Sequence, residues 1–133
     1  MADTTDLMLT PGETQPERDD MVLWNLDDSV IKGAFLAQAG WVLPSDLPCE
    51  PGQSHRHDFD ELLGTFGTYY KNPHDLGGEI EFWLGGEKHI MTKSFIVFIP
   101  KGLIHGPIKF NCIYRPMFCF DTGKGREYHS VSH

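Results

Sequence analysis

Short apolar or alternating runs, separated by turn-forming residues, recur along most of the chain and restrict it to a β-rich fold. The run EIEFWL places Ile80, Phe82 and Leu84 on one face of an extended strand, and Gly85-Gly86 after it predicts a two-residue hairpin turn. Fourteen glycines and nine prolines interrupt the sequence, which favours short strands and turns over long helices. The pattern predicts an all-β sandwich or barrel of many short strands.

Two further segments carry specific expectations. The run FIVFIP, which ends at Pro100, is apolar throughout, as is typical of a strand buried on both faces or lining a filled interior. The segment KNPHDLGG, residues 71–78, contains Asn-Pro and Gly-Gly and predicts a loop. We expect the three tryptophans to serve in core or subunit packing: Trp24, Trp41 and Trp83.

The first part of the chain differs in composition from the rest. Residues 1–20 are polar, acidic and without periodicity, and we expect them to form a flexible N-terminal arm. Residues 21–133 then form a single domain, since a chain of 133 residues is long enough to bury one core.

Charge and cysteine content limit the possible partners and compartment. The formal net charge of -8 argues against nucleic acid and anionic membranes as partners, because either needs a basic face. The sequence opens without a recognisable signal peptide and contains no apolar run long enough to span a bilayer. The three cysteines, Cys49, Cys112 and Cys119, lack zinc-finger spacing, so we expect buried reduced thiols in a cytoplasmic protein.

The stretch SHRHDFDE concentrates residues that can bind metal or move protons. In an extended strand His55, His57 and Glu61 all point to one face, because side chains alternate with period two. The intervening charged residues point to the other face. A metal site, a proton relay and a chance arrangement all remain open from this stretch alone.

A third histidine follows the apolar run FIVFIP. His105 stands after Pro100 and Gly102, which predict a tight bend that returns the chain to the sheet. A polar ring next to a buried strand needs a partner, and a core histidine bonded to a backbone carbonyl is one explanation. The other is that His105 joins His55, His57 and Glu61, since three imidazoles and a carboxylate suit iron, manganese, nickel, copper or zinc in the divalent state.

These residues resemble the two motifs of the cupin superfamily. Gly52, His55, His57, Glu61 and Gly67 follow the pattern of the first motif. Pro100, Gly102 and His105 follow the Pro-x-Gly-x-x-His pattern of the second, and the resemblance extends over roughly residues 40–121.

The resemblance implies a small antiparallel jelly-roll β-barrel, often dimeric. One divalent transition metal per chain would be bound by His55, His57, Glu61 and His105. The sequence departs from the family pattern at Gly52, which stands closer to His55 than the family spacing expects, and at Lys93-Ser94, which replaces a Gly-Asp pair. It also departs at Lys109, which replaces an asparagine, and in an enlarged segment between the motifs.

A metal in an apolar barrel predicts a site for a small organic substrate. Leu63 and Thr65 continue the face of the ligands, and we expect them to contact that substrate. We expect dioxygenase-like oxidative chemistry, with Glu61 as the catalytic residue, as a ligand, a general base or both. Non-redox isomerase, decarboxylase or lyase chemistry is the alternative, and a metal-dependent binding module without turnover is a third.

Overall fold

The structure, a computed structural model, describes residues 4–9, 23–48, 51–124 and 131–132, except for the side chains of Leu23, Val131 and Ser132. Ten strands follow one another: β1 (Leu23–Leu26), β2 (Leu36–Val42), β3 (His55–Arg56), β4 (Glu61–Gly67), β5 (Asp75–Leu84), β6 (Glu87–Lys93), β7 (Phe95–Ile99), β8 (His105–Ile113), β9 (Met117–Gly123) and β10 (Val131–Ser132). Within these ranges the helices are two 3-10 turns, Thr4–Leu7 and Pro44–Asp46, and neither could cross a bilayer.

The strands form two five-stranded antiparallel sheets. The first sheet has the order β1-β2-β9-β4-β7, and the second has the order β10-β3-β8-β5-β6. The sheets pack face to face around one apolar core: Val42, Leu76, Ile80, Phe82, Ile99, Ile113 and Met117. This architecture confirms the expected all-β, antiparallel jelly-roll fold.

The hairpin of β5 and β6 forms as the sequence predicts. Gly85 and Gly86 adopt φ of 60° and 83°, a left-handed conformation that residues with a Cβ avoid and that matches the twist of a hairpin. Ile80 and Phe82 are buried in the core, and the predicted alternation is therefore correct.

The loop predicted over residues 71–78 is shorter than expected. Strand β5 already begins at Asp75, so the Gly77-Gly78 pair lies inside a strand. The ladder between β5 and β6 is irregular between Asp75 and Ile80. A bulge of this kind tolerates glycine in a strand, and composition alone therefore mistook the segment for a loop.

Ser94 forms hydrogen bonds that connect the loop before β5 to the end of β4. Its hydroxyl donates to the Pro73 carbonyl at 2.6 Å and accepts the Gly67 N–H at 2.9 Å. Its own N–H donates to the His74 carbonyl. The serine that departs from the cupin pattern thus holds this loop against the last residue of β4, at the end of the strand opposite Glu61.

The strand β7 has the second of the two arrangements that its apolar run predicts. Phe95, Val97 and Ile99 face the interior, as expected for a strand lining a filled core. However, β7 is an edge strand of the first sheet, and Ile96 and Phe98 are more than half exposed on its outer face. It is therefore not buried on both faces.

Some predictions fall partly or wholly on residues outside the described ranges. Of the predicted flexible arm over residues 1–20, only 4–9 are described, with a 3-10 turn at Thr4–Leu7. The arm and the domain limit at residue 21 stay predictions, as does the environment of Cys49. Cys112 and Cys119 are free, half-buried thiols.

Candidate metal centre

The segment from His55 to Glu61 crosses from one sheet to the other. The prediction of one continuous strand through these residues is therefore wrong. His55 lies in β3 of the second sheet, whereas Glu61 begins β4 of the first. Residues 57–60 form a bend between these strands. The predicted faces are nevertheless correct, because His57 and Glu61 are each 3% exposed while the charged residues between the ligands are exposed: Arg56, Asp58 and Asp60.

Strand pairing brings the two motifs together. His55 is paired with His105 in the ladder of β3 and β8, so the imidazoles emerge from neighbouring backbone positions. Two hydrogen bonds connect the turn before His105 to the bend. Gly102 N–H donates to the His57 carbonyl at 2.9 Å, and Lys101 N–H donates to Asp60 Oδ1 at 2.8 Å.

The three histidines and Glu61 converge on one point. One ring nitrogen from each of His55, His57 and His105 lies within 4.8 Å of the others. The Nε2 atoms of His57 and His105 are each 3.2 Å from Oε1 of Glu61. His57 also stacks on the buried ring of Phe59, with centroids 4.8 Å apart and planes 11° apart, which fixes its orientation.

Backbone carbonyls determine which nitrogen faces the centre. Nδ1 of His105 lies 3.0 Å from the Leu103 carbonyl, and Nδ1 of His55 lies 3.1 Å from the Gln53 carbonyl. A carbonyl oxygen only accepts, so each Nδ1 carries the proton. In the neutral rings Nε2 then presents a lone pair, as a metal ligand does.

These donors fit a divalent metal ion. Oε1 of Glu61 and Nε2 of His105 are buried, and among the described residues neither meets a partner in hydrogen-bonding geometry. A lone pair on the neutral His105 ring facing a carboxylate oxygen at 3.2 Å is unfavourable unless a cation or a proton lies between them. The three imidazoles form a group that suits a borderline divalent ion.

The carboxyl and imidazole groups alter one another's pKa. Burial raises the pKa of Glu61, but the close approach of His105 and the charges of both neighbouring imidazoles outweigh it and leave that pKa below its ordinary value. Burial lowers the pKa of His105, yet its contacts with Glu61 and the Leu103 carbonyl raise it overall. Burial lowers the pKa of His55. The raised pKa of His105 and the lowered pKa of Glu61 therefore favour an ionised carboxylate at this position.

Asp121 is a second inward-facing carboxyl group that the sequence reasoning missed; it is half-buried overall, and its Oδ1 is shielded from solvent. It lies on the inner face of β9, paired with Leu63 of β4. Burial, followed by the negative charge of Glu61, raises the pKa of Asp121 to about 8. The alternation of Met117, Cys119 and Asp121 along an apolar strand could have revealed an inward-facing acid.

One cavity is lined by two of the histidines, and a second cavity adjoins it. One of about 240 Å³ is bounded by His55, Glu61 and His105. The other, of about 300 Å³, extends along the interior of the first sheet and includes Thr65. Both share three lining residues: Leu63, Ile108 and Asp121. The residues predicted to contact substrate thus line the interior next to the candidate ligands.

The walls of the larger cavity are mostly apolar, with few polar groups. The Cys119 thiol is among them, and burial raises its pKa to about 11. This thiol is protonated near neutral pH and is unsuited to act as a nucleophile. Polar recognition inside the cavity depends instead on the side chains of Gln38, Thr65 and Asp121.

No protein-family model and no curated protein matches the sequence. Solved structures do match the fold. Oxalate oxidase in complex with glycolate superimposes with a TM-score of 0.58 at 12% identity, over 96% of this chain and 63% of that one. The polyketide cyclase RemF from Streptomyces resistomycificus superimposes with a TM-score of 0.54 at 17% identity, over 99% of this chain and 84% of that one.

A lyase is similar to the same extent. The DMSP lyase DddQ from Ruegeria pomeroyi DSS-3 matches with a TM-score of 0.53 at 18% identity, over 94% of this chain. The chain spans 59% of the length of that lyase and 63% of the length of the oxalate oxidase. These neighbours are cupin-fold proteins, and this chain carries its histidine cluster between the two facing sheets. The protein therefore has the cupin fold.

Proposed function

We propose that this protein is a mononuclear metal enzyme in which His55, His57, Glu61 and His105 bind one divalent transition ion, from among iron, manganese, nickel, copper and zinc. The observation that carries the proposal is the convergence of three imidazole nitrogens within 4.8 Å of one another. The 3.2 Å approach of two of these nitrogens to Glu61 Oε1 adds the carboxylate. Four protein ligands leave coordination positions open for a small molecule.

The bound ion would supply Lewis acidity and, if it is redox-active, electrons. The protein supplies orientation. The carbonyls of Gln53 and Leu103 hold Nδ1 protonated on two of the rings, which keeps Nε2 available and raises its basicity. Oε1 of Glu61 is also placed to accept a proton from a substrate hydroxyl in the cavity, and Asp121 beside it can hold a proton near neutral pH.

The substrate that suits this site is a small organic molecule with oxygen donors. The two cavities, of about 240 and 300 Å³, share Leu63, Ile108 and Asp121 and so lie next to each other. Their size suits a compound smaller than most drug-like ligands. The apolar side chains of Leu63, Ile108 and Phe110 would contact its carbon skeleton, while Thr65 and Asp121 offer hydrogen bonds.

Dioxygenase-like oxidation is the reaction that we propose first. The open positions left by four protein ligands would accommodate substrate and dioxygen side by side. A neighbouring fold, oxalate oxidase, is named for an oxidation. An apolar interior also excludes water from the reacting groups, which strengthens electrostatic interactions there.

Non-redox chemistry is the second candidate, because a DMSP lyase and a polyketide cyclase superimpose about as well as the oxidase. In that reaction Glu61 would remove a proton from a carbon or hydroxyl next to the coordinating oxygens, and Asp121 would return one to the product. Both steps need only the proton transfers that paired carboxyl groups provide.

A paired assay distinguishes the candidates. The protein, loaded separately with iron, manganese, nickel, copper or zinc, is incubated with small hydroxy acids, dicarboxylates and enolisable ketones in air and without oxygen. Oxygen uptake that matches substrate loss supports the oxidase. Equal turnover in both atmospheres supports the lyase or isomerase. Saturable binding with no turnover for any compound would contradict catalysis and leave a binding module.

Asp121→Asn and Glu87→Gln serve as the variant and its control in this assay. Asp121 lines the cavity, whereas Glu87 is exposed at the start of β6. Turnover should fall with Asp121→Asn while metal content stays at the wild-type level. Glu87→Gln should alter neither quantity.

A further inference from the structure

One wall of the larger cavity carries an amide group that a second amide holds in place. Gln38 lies in β2 on the same inward face as the buried residues Leu36 and Val42, and it lines the cavity of about 300 Å³. Its Nε2 donates to Oδ1 of Asn25, on the edge strand β1, at 3.4 Å. Both side chains are partly buried. The pair therefore presents an oriented amide to the interior of the protein.

Strand register gives the separation between this amide and the candidate metal ligands. Gln38 is paired with Asp121 of β9, and Asp121 is paired with Leu63 of β4. Gln38 is thus two strand spacings, roughly 10 Å, from the strand that begins with Glu61. An extended skeleton of about five carbon atoms covers a similar length when it binds a metal ion at one end and forms a hydrogen bond at the other.

The walls between the two ends are mostly apolar. Leu63 and Ile108 line both cavities, and Phe110 lines the larger one. The hydroxyl of Thr65 already has a partner within the wall, because it forms a hydrogen bond with the Cys119 thiol. A carbon skeleton that extends from the metal ligands therefore packs against aliphatic and aromatic side chains before its far end reaches the amide.

An amide selects its partner by hydrogen bonding and carries no charge. The Gln38 side chain has one acceptor oxygen and two N–H donors. The bond to Asn25 uses one of these N–H groups and does not involve Oε1. A ligand hydroxyl or amide can donate to Oε1 or accept from the second N–H, whereas a methyl group can do neither. Gln38 therefore favours a polar but uncharged group.

The charges around the cavities limit the charge of the substrate. The described residues that line the two cavities include no lysine and no arginine. Positive charge would come from the divalent ion, and Glu61 neutralises one of its two charges, so a single anionic group on the substrate completes the balance. A second carboxylate at the far end would be buried among apolar side chains with no cation beside it, which is strongly unfavourable.

We propose that the substrate is a monoanionic acid of about five carbon atoms, with metal-binding oxygens at one end and an uncharged hydroxyl or amide at the other. Gln38 is the residue that recognises the uncharged end, and Asn25 is the residue that positions Gln38. This substrate class rests on the proposed metal centre, because the acidic end needs an ion to which it can bind.

Calorimetric titration of the full-length, zinc-loaded protein measures this selectivity as binding, since zinc has no redox chemistry. The ligands are four 2-hydroxy acids with the same five-carbon skeleton, which end in a methyl group, a hydroxyl, a carboxylate and an ammonium group: 2-hydroxypentanoate, 2,5-dihydroxypentanoate, 2-hydroxyglutarate and 5-amino-2-hydroxypentanoate. The hydroxyl-ended acid should bind about 5-fold tighter than the methyl-ended acid. The carboxylate-ended acid should bind about 100-fold weaker than the hydroxyl-ended acid.

Two variants assign the selectivity to the amide pair. Gln38→Leu has a similar volume and no hydrogen-bonding group, so the hydroxyl-ended acid should lose its advantage of about 5-fold over the methyl-ended acid. Asn25→Ala should reduce this advantage in part, because Gln38 keeps its amide but loses the bond that orients it. Zinc content and the affinity for the methyl-ended acid should remain within about 2-fold of the wild type in both variants. A purely structural role would weaken the binding of all four acids alike.

Asn111→Leu is the matched control. Asn111 is exposed on β8, and its Nδ2 donates to Oε2 of Glu79 at 2.9 Å on the outside of the second sheet. The same change from an amide to leucine is therefore made away from both cavities. This variant should keep the wild-type affinities for all four acids.

Three results would each overturn the proposal. They are equal affinities for the hydroxyl- and methyl-ended acids, tightest binding of the carboxylate- or ammonium-ended acid, and an unchanged preference for the hydroxyl in Gln38→Leu. In each case the metal centre stands if zinc is bound and the acids need it for binding. A protein that binds no zinc would instead contradict the proposed function, and the substrate class would fail with it.

Discussion

Nε2 of His105 lies 3.2 Å from Oε1 of Glu61, while the Leu103 carbonyl holds the other nitrogen of the same ring. In the neutral ring two electron-rich atoms therefore face each other in a buried position. A cation between the two atoms removes their repulsion. A hydrogen-bond donor in place of the Glu61 oxygen would remove it as well. His105 and Glu61 are therefore arranged to bind a metal ion, and without an ion their contact lowers the stability of the folded protein.

Replacing Glu61 by glutamine should separate these two effects. The amide group can donate a hydrogen bond to an imidazole nitrogen, so in the presence of a chelator Glu61→Gln should be at least as stable as the wild type. Its metal affinity should fall by about 10-fold or more, because the anionic ligand is lost. Thermal denaturation and metal titration measure the two quantities. Wild-type affinity in Glu61→Gln would exclude Glu61 as a ligand.

The hydrogen bond from Lys101 N–H to Asp60 should position His105. Asp60→Ala removes this bond, which fastens the turn before His105 to the bend that carries His57. We expect a loss of about 1 kcal/mol in unfolding free energy and a several-fold weaker metal affinity. Asp58→Ala, another exposed aspartate two residues earlier, is the control and should change neither. Equal effects of both variants would mean that loss of surface charge, not of the bond, is responsible.

Gly67 should not tolerate a side chain. A Cβ there would lie 1.8 Å from the Asp75 carbonyl oxygen and 2.8 Å from its carbon, so the backbone of β5 would have to move. Gly67→Ala should lower the unfolding free energy by about 2 kcal/mol or more. At Gly52, the other motif glycine, a Cβ would meet no atom within 4 Å, and the backbone adopts no positive φ. Gly52→Ala should therefore remain within about 0.5 kcal/mol of the wild type.

The inward-facing, half-buried Asp121 predicts a pH dependence of stability. Its pKa is raised from 3.8 to about 8, so between these values the folded protein holds a proton that the unfolded chain releases. Stability from this group is complete below the lower value and is lost as pH rises toward 8, by at most about 1.4 kcal/mol per pH unit. The variant Asp121→Asn should not show this loss of stability with rising pH.

Urea denaturation in the presence of a chelator, from about pH 5 to about pH 9, compares the two proteins. The stability of Asp121→Asn relative to the wild type should increase with pH up to about 8 and then level off. A difference that does not change with pH would show that Asp121 is ionised throughout the range in the folded protein.

The sequence allowed the faces of residues to be predicted better than their strand partners. Alternation correctly placed His57 and Glu61 inside and Asp58 and Asp60 outside, because burial follows the period of the strand. It could not show that the strand breaks at His57 and changes sheets there, since that change depends on pairing with distant strands.

The same limit explains why Asp121 was missed. Its importance comes from lying beside β4, in register with Leu63 and close to Glu61, and this register is a property of non-local pairing. The apolar run of β7 was likewise ambiguous. A strand that lines a core on one side and exposes Ile96 and Phe98 on the other has the composition of a fully buried strand.

Metal titration of the chelator-treated, full-length protein tests the central claim most directly. It is done by calorimetry and elemental analysis, with His57→Ala and with His89→Ala as a control on β6. We predict one divalent ion per chain for the wild type and for His89→Ala, and none for His57→Ala at the same concentrations. One ion retained in His57→Ala, or no ion bound by the wild type, would contradict the proposed metal centre.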